Sequence, residues 1–268
     1  MQALEENGLT LMKFEKISSS WPLHHCITTR LGGISPPPFD SLNLGLHVGD
    51  IKGNVIENRK RVCSTIGAST RRFVAMQQAH SANVFVLKSE DSFGGFDSWQ
   101  GAVENVDAIV TTLQNVTLLI VAADCAMALF FDPVENVLGL VHAGWRGSLM
   151  NVFSKTLQTM SREYSTKPVN VYVGIGPTIS SRNYDVAKHV IDRFRRLYSR
   201  DTIETFYRFE SGKYFLSIES ILLFQLREMG VTNVESANLC PAENLDLFYS
   251  HHRERGMTGR FGAFAYLT

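Results

Sequence analysis

Residues 107–143 read DAIVTTLQNVTLLIVAADCAMALFFDPVENVLGLVHA. Four apolar runs, DAIVTT, TLLIVAAD, AMALFFD and VLGLVHA, are divided only by short turns such as QN and DPVEN. Aliphatic and β-branched runs of this length, without polar alternation, predict central strands buried on both faces. Toward the N-terminus, strands are expected at 83–87, 73–76, 25–30 and 11–16, with a polar, Gly-rich excursion over 89–103. NVIENRKRVCSTIG, at 54–67, has helical periodicity that turns Val55, Cys63 and Ile66 to the core and stops at Gly67. Toward the C-terminus the pattern predicts a helix from about 148 to 163 after Gly147, a strand in VNVYVGIG, and helices over 185–198 and 217–229. Gly230 ends the last helix and FGAFAYL closes the chain as a strand. No regular βαβ rhythm connects these elements. The reading is therefore α+β: mixed β-sheets packed together and flanked by helices. No repeat, linker or low-complexity tract divides the sequence, so 1–268 is expected to form a single domain.

Composition narrows the partners. Lys+Arg and Asp+Glu are 26 each, so no broad positive field attracts a nucleic-acid backbone, and no nucleic acid is expected as partner. No run approaches the roughly 20 apolar residues that span a bilayer, so no membrane is expected either. MQALEENGLTLMKFEK lacks the basic start and apolar run of a secretory leader. Cysteines at 26, 63, 125 and 240 are too sparse for a disulfide scaffold and suit a reducing compartment, so a cytoplasmic protein is expected. The loop RLGGISPPPFDSLNLGLHVGD, at 30–50, cannot be a regular helix or central strand, yet Leu42, Leu44 and Leu46 imply that it is packed down.

Three soft or borderline donors stand at strand ends: His80 in QQAH, Cys125 after TLLIVAAD, and His142 at the end of VLGLVHA. They lie 45 and 17 residues apart, which matches no zinc-finger spacing. The chemistry says more than the spacing. Two imidazoles and a thiolate suit Zn²⁺ or, as an alternative, copper, and three protein ligands leave a coordination position for reaction. A satisfied polar His and a small buried Cys are the plain structural alternatives. Asp124 adjoins the thiol and could orient a ligand or carry a proton. Arg30, Arg146 and Arg260 each stand beside glycine, in TTRLGG, GWRG and TGRFG, where a guanidinium could bind an oxyanion or close a turn by a salt bridge. Trp145 could stack on a ring or fill the core. His251 and His252 read as surface residues. No GxxxxGK[ST] or GxGxxG is present.

The stretches TTRLGGIS, SLNLGLHVGD with Asn58–Arg59 after it, QQAH, DAIVTT, AADC, HAGWRG, GIGPTIS…YDV, NLC and FYSHHRERGMTGRFGA run in order along the chain. Together they resemble the laccase-domain family, long labelled multicopper polyphenol oxidoreductase, whose related members are described as purine nucleoside phosphorylases with adenosine deaminase activity. The resemblance implies that His80, Cys125 and His142 are zinc ligands and, with Asp124, catalytic residues. It implies a purine nucleoside and phosphate as substrates, with Arg30, Asn43, Arg59, Arg146 and Arg260 as candidates to bind them. The sequence departs from relatives in QAH for QVH, in Arg182–Asn183 where some carry cysteines, in Cys240–Pro241 for Cys-Thr, and in SHHR, at 250–253, for SYRR. Competing readings are a copper-dependent polyphenol oxidase, a non-catalytic metal-stabilised module, and a hydrolase with Cys125 as nucleophile and His142 as base. The eight histidines, at 24, 25, 47, 80, 142, 189, 251 and 252, show no HxH pairs of a multicopper cluster. Oligomeric state is not legible in the sequence.

Overall fold

The computed structural model describes residues 1–17 and 20–268. A seven-stranded sheet contains β1 (Gln2–Glu6), β2 (Leu9–Lys13), β3 (Leu23–Thr28), β4 (Phe73–Gln77), β6 (Val103–Glu104), β8 (Thr117–Ala122) and β16 (Phe261–Leu267). Its order is β1-β2-β3-β16-β8-β4-β6, antiparallel except where β4 runs parallel to both β8 and β6. A six-stranded sheet contains β5 (Val84–Leu87), β7 (Ala108–Thr111), β9 (Ala126–Asp132), β10 (Val137–Ala143), β11 (Tyr172–Ile175) and β15 (Asn233–Ser236). Its order is β15-β11-β9-β10-β7-β5, with parallel pairs at both ends. A small third sheet joins β12 (Asp185–Val186), β14 (Lys213–Leu216) and β13 (Tyr207–Glu210). The helices are α1 (Lys52–Ile66), α2 (Trp145–Leu149), α3 (Val152–Tyr164), α4 (Lys188–Phe194), α5 (Arg200–Ile203) and α6 (Ile218–Glu228). The architecture is α+β with mixed sheets.

The unbroken apolar runs find their explanation in the layering. Ile27, Leu118, Ile120 and Ala263 of the first sheet share one core with Ile109, Met127, Leu129, Leu138 and Leu140 of the second. The outer face of the first sheet buries Phe73, Leu119, Val121 and Phe264 against Val62 and Cys63 of α1. The outer face of the second buries Val110, Ala128, Phe130 and Val141 against Phe153, Leu157 and Met160 of α3 and Leu222 and Leu226 of α6. Both faces of each central strand are thus dry, and alternation has no reason to appear. Gly67 closes α1 in the left-handed conformation, φ 70°, as the periodicity predicted.

Several expected boundaries move. The helix expected from 148 starts at Trp145 and is interrupted at Asn151, which sits at φ 58°, ψ 46°, so α2 and α3 are separate. Asn tolerates that left-handed geometry better than other non-glycine residues. Of the helix expected over 185–198, Asp185–Val186 instead pair with Phe215 and Tyr214, and the helix spans only Lys188–Phe194. The first two residues of VNVYVGIG, at 169–176, belong to a 3-10 turn over Pro168–Asn170, and pairing begins at Tyr172. The loop over 30–50 is packed down: Leu42 and Leu44 are wholly buried, and Asn58 of α1 ties Ser35, Ser41 and Asn43 together. Among the described residues no helix is long and apolar enough to cross a membrane.

His25, on β3, gives the fold a pH dependence. It is buried, stacks on Phe14 and accepts the Phe14 backbone N–H through Nε2 at 3.0 Å, which requires the unprotonated nitrogen. Burial, then the charge of Lys13, lowers its pKa from 6.5 to about 4. The unfolded chain therefore takes up this proton first, so the stabilisation is present above about pH 6.5 and is lost as pH falls toward 4. Chemical denaturation at about pH 7 and about pH 5 should show wild type losing about 2 kcal/mol more over that interval than His25→Gln. Equal losses for the two proteins would remove His25 as the source.

Candidate active site

The antiparallel register of β9 and β10 sets Met127 opposite His142 and Ala126 opposite Ala143. Extending this ladder by one residue sets Cys125 opposite Gly144, so thiol and imidazole meet at one end of a hairpin. A Cβ on Gly144 would lie 2.9 Å from Cys125 Sγ and 3.1 Å from His80 Nδ1, so only glycine leaves room for both. His80 arrives from the loop joining β4 to β5, with φ 55°. One ligand atom from each of His80, Cys125 and His142 lies within 4.8 Å of the others, and among the described residues this is the one His/Cys/Asp/Glu group able to hold a metal ion.

Asp107 builds this arrangement. Fully buried just before β7, it accepts hydrogen bonds from the backbone N–H groups of Ala79, His80 and Ser81 at 3.2, 3.1 and 2.6 Å. It also takes the Ser81 hydroxyl at 2.6 Å and His142 Nδ1 at 2.9 Å, while its own carbonyl accepts the His142 N–H at 2.7 Å. Nδ1 of His142 is thereby committed, and Nε2 is the nitrogen left to face Cys125. Desolvation works against the Asp107 carboxylate, but the bond and charge of His142 and the Ser81 donors outweigh it and lower its pKa. Desolvation likewise opposes the Cys125 thiolate. The charge of His142, with hydrogen bonds from His142 and His80, outweighs it and brings the thiol down to about 6. His142 is raised despite burial, by the Cys125 charge and the Asp107 bond. A thiol whose ionisation the two imidazoles favour, an oriented imidazole and a carboxylate behind it suit a metal ion of borderline softness.

Around the triad lies a cavity of about 300 Å³. Gln78, Asp124, Trp145, Arg146, Tyr184, Ile179 and Arg260 line it, with His47, His251 and His252. Asp124 holds φ at 93°, a conformation disfavoured for a side-chain-bearing residue. It is kept there by Ile179 N–H to its carbonyl at 2.9 Å, and by Ser250 Oγ and His252 N to its two carboxylate oxygens at 2.7 Å each. Burial raises its pKa against those two donors. Arg146 stacks its guanidinium 4.5 Å from the Trp145 ring. Arg260 spends one terminal nitrogen on the carbonyls of Thr258 and Gly259.

Of the candidate anion binders, the structure brings Arg146 and Arg260 to the cavity and leaves Arg30, Asn43 and Arg59 outside it. Arg30 is consumed by the carbonyls of Asp40 and Leu245 and by Glu254, with Tyr249 beneath it. Arg59 is buried and donates to the carbonyls of Leu44, Gly95 and Phe96. Asn43 is one step removed: its Oδ1 accepts the Arg260 backbone N–H at 2.9 Å. Arg30 shares a glycine-flanked setting with Arg146 and Arg260, whereas Asn43 and Arg59 were candidates through the matching stretches alone. His251 and His252 are exposed, as expected of surface residues, but they sit in a turn and face the cavity. Asp107 was missed as well. Its only sequence signal is an acidic residue heading a strand that is otherwise apolar.

The family model described as multi-copper polyphenol oxidoreductase laccase matches residues 24–268. The chain is 32% identical over 240 residues to the purine nucleoside phosphorylase YlmD of Bacillus subtilis, covering 88% of this chain and 86% of that protein. It is 35% identical over 243 residues to a purine nucleoside phosphorylase of Corynebacterium glutamicum, covering 89% and 92%. The crystal structure of YlmD from Geobacillus stearothermophilus superposes with a TM-score of 0.90 at 31% identity, over 97% of this chain and 96% of that one. With the sequence matched over nearly its whole length and the fold shared, the chain belongs to the multi-copper polyphenol oxidoreductase laccase family.

Proposed function

We propose that this protein is a zinc-dependent enzyme of purine nucleoside metabolism that cleaves adenosine- and inosine-type nucleosides by phosphorolysis and deaminates adenosine. The observation that carries the reading is one cavity in which a three-donor metal group adjoins two arginines, an aspartate and aromatic walls. Relatives named purine nucleoside phosphorylase support the substrate class. About 300 Å³ falls at the lower end of small-molecule sites.

Zinc held by His80, Cys125 and His142 would supply Lewis acidity and an activated water for deamination. The chain's own residues do the rest. Arg146 and Arg260 place cationic forks where phosphate can be bound, and the stack on Trp145 restricts Arg146 before any ligand arrives. Asp124 spends one lone pair per oxygen on Ser250 and His252 and keeps others to accept a substrate proton. Tyr184 closes a wall against the purine. All four cysteines are free in the fold, which supports a reducing, cytoplasmic setting. A polyphenol oxidase reading has less support, since one three-donor group among the described residues cannot hold several coppers.

One observation favours a second reading. Cys125, His142 and Asp107 also stand in nucleophile–base–orienter order, with a lowered thiol pKa, as a cysteine hydrolase would need.

Purified protein with stoichiometric zinc should convert adenosine to inosine and, with phosphate, release the free base. Cys125→Ser should lose the metal and at least about 10³-fold in both rates. Neither product from the zinc-loaded protein removes the proposal, and full activity of the zinc-free protein favours the thiol nucleophile. Asp107→Asn should weaken zinc binding about 10–100-fold in a chelator competition. Gly144→Ala should do so too without unfolding the chain; an unchanged affinity would dismiss the steric argument. Arg146→Gln and Arg260→Gln should each raise the KM for phosphate about 10-fold, the equivalent of about 1.4 kcal/mol, with zinc content unchanged. Unaltered phosphate dependence in both variants would exclude these arginines from that role.

A further inference from the structure

One cavity-lining group has no part in the reading above. His252 lies in the turn after Ser250, and its backbone N–H is fixed on Asp124 Oδ2 at 2.7 Å. Its ring leans across to the small third sheet, where Nε2 meets Asp185 Oδ1 at 3.2 Å. Lys213, on the neighbouring strand, holds the other Asp185 oxygen at 3.5 Å. Tyr184 meets the imidazole edge-on, centroids 6.0 Å apart, and limits its rotation. The residue is therefore bounded from two segments: Asp124 fixes its main chain, and Tyr184 and Asp185 flank its ring. Nε2 is the ring nitrogen beside the Asp185 carboxylate, which leaves Nδ1 without that neighbour in a residue that lines the cavity. An imidazole beside a carboxylate at the wall of a binding cavity is suited to proton transfer. The side chains of His252 and Asp185 are 37% and 40% exposed, so the pair contributes orientation more than ion-pair energy.

We propose that His252 is the group that protonates the departing purine in phosphorolysis, and that Asp185 is its positioning residue; this deepens the nucleoside reading and rests on it. In the step, a phosphate oxygen forms a bond to C1′ while the C1′–N bond breaks and its electron pair leaves with the base. The proton that monohydrogen phosphate carries is surrendered as it becomes the dianionic sugar ester. His252 accepts that proton at Nδ1 and delivers it to the purine, so the imidazole returns neutral. The Asp185 carboxylate stabilises the transient imidazolium and keeps Nδ1, not Nε2, toward the substrate.

The test compares inosine with 7-methylinosine, whose cationic base departs neutral without gaining a proton. His252→Gln should lower kcat for inosine phosphorolysis about 10²–10³-fold and leave 7-methylinosine within about 3-fold. Asp185→Asn should show the same selective loss at about 10-fold. Zinc content by elemental analysis and the unfolding temperature should match wild type for both variants, which separates this loss from a folding defect. Parallel losses on the two nucleosides, or no loss on inosine, would overturn the proposal while the nucleoside reading stands. A wild-type enzyme, fully zinc-loaded, that turns over neither nucleoside removes both.

Discussion

The Asp107 carboxylate is the contact on which the rest of the site depends. Five donors converge on it: three successive backbone N–H groups of the loop carrying His80, the Ser81 hydroxyl and His142 Nδ1. A buried charge of this kind is tolerable only when its lone pairs are filled, and here filling them is what folds the His80 loop. Two of the three candidate donors are thus set by one side chain. The third, Cys125, is set by the β9–β10 register. Local geometry at the centre is consequently a product of the sheet, not of the loops alone.

Charge at the cavity contrasts with the chain as a whole. Formal net charge is zero, yet Arg146, Arg260 and five histidines line a space that has Asp124 as its acidic member. Two guanidiniums in one concavity can attract an anion without the broad positive surface that would recruit nucleic acid. The two arginines are held differently: Arg146 by an aromatic face, Arg260 by its own neighbouring carbonyls and by Asn43 beneath its backbone.

Much of this was legible in the residues. The apolar runs over 107–143 located the central strands because both their faces are buried. Residue type and position at strand ends left the donor triad one reading beside a satisfied His and a buried Cys, and the family resemblance made it the leading one. Other features were hidden for specific reasons. Asn7-Gly8 and Ser211-Gly212 both take the paired positive φ values of tight hairpin turns, so β1–β2 and β13–β14 carried a signal that the reading overlooked. Asn151 broke a helix whose apolar period runs on past it. Arg30 looks like Arg146 and Arg260 in sequence; what separates it is which carbonyls lie within reach, a property of tertiary structure.

His80 and Cys125 both sit where the chain passes from one large sheet to the other, between β4 and β5 and between β8 and β9. Gln78 stitches these two passages together, bonding both backbone groups of Val121 through its side-chain amide at 2.7 and 2.9 Å. Two of the three donors are therefore carried on the passages between the sheets, and the third, His142, on a strand of the second sheet. Any slippage of one slab over the other is read at once as a change in donor separation, so an ion bound there acts as a rivet across the seam, and its grip reports the alignment of the whole β framework.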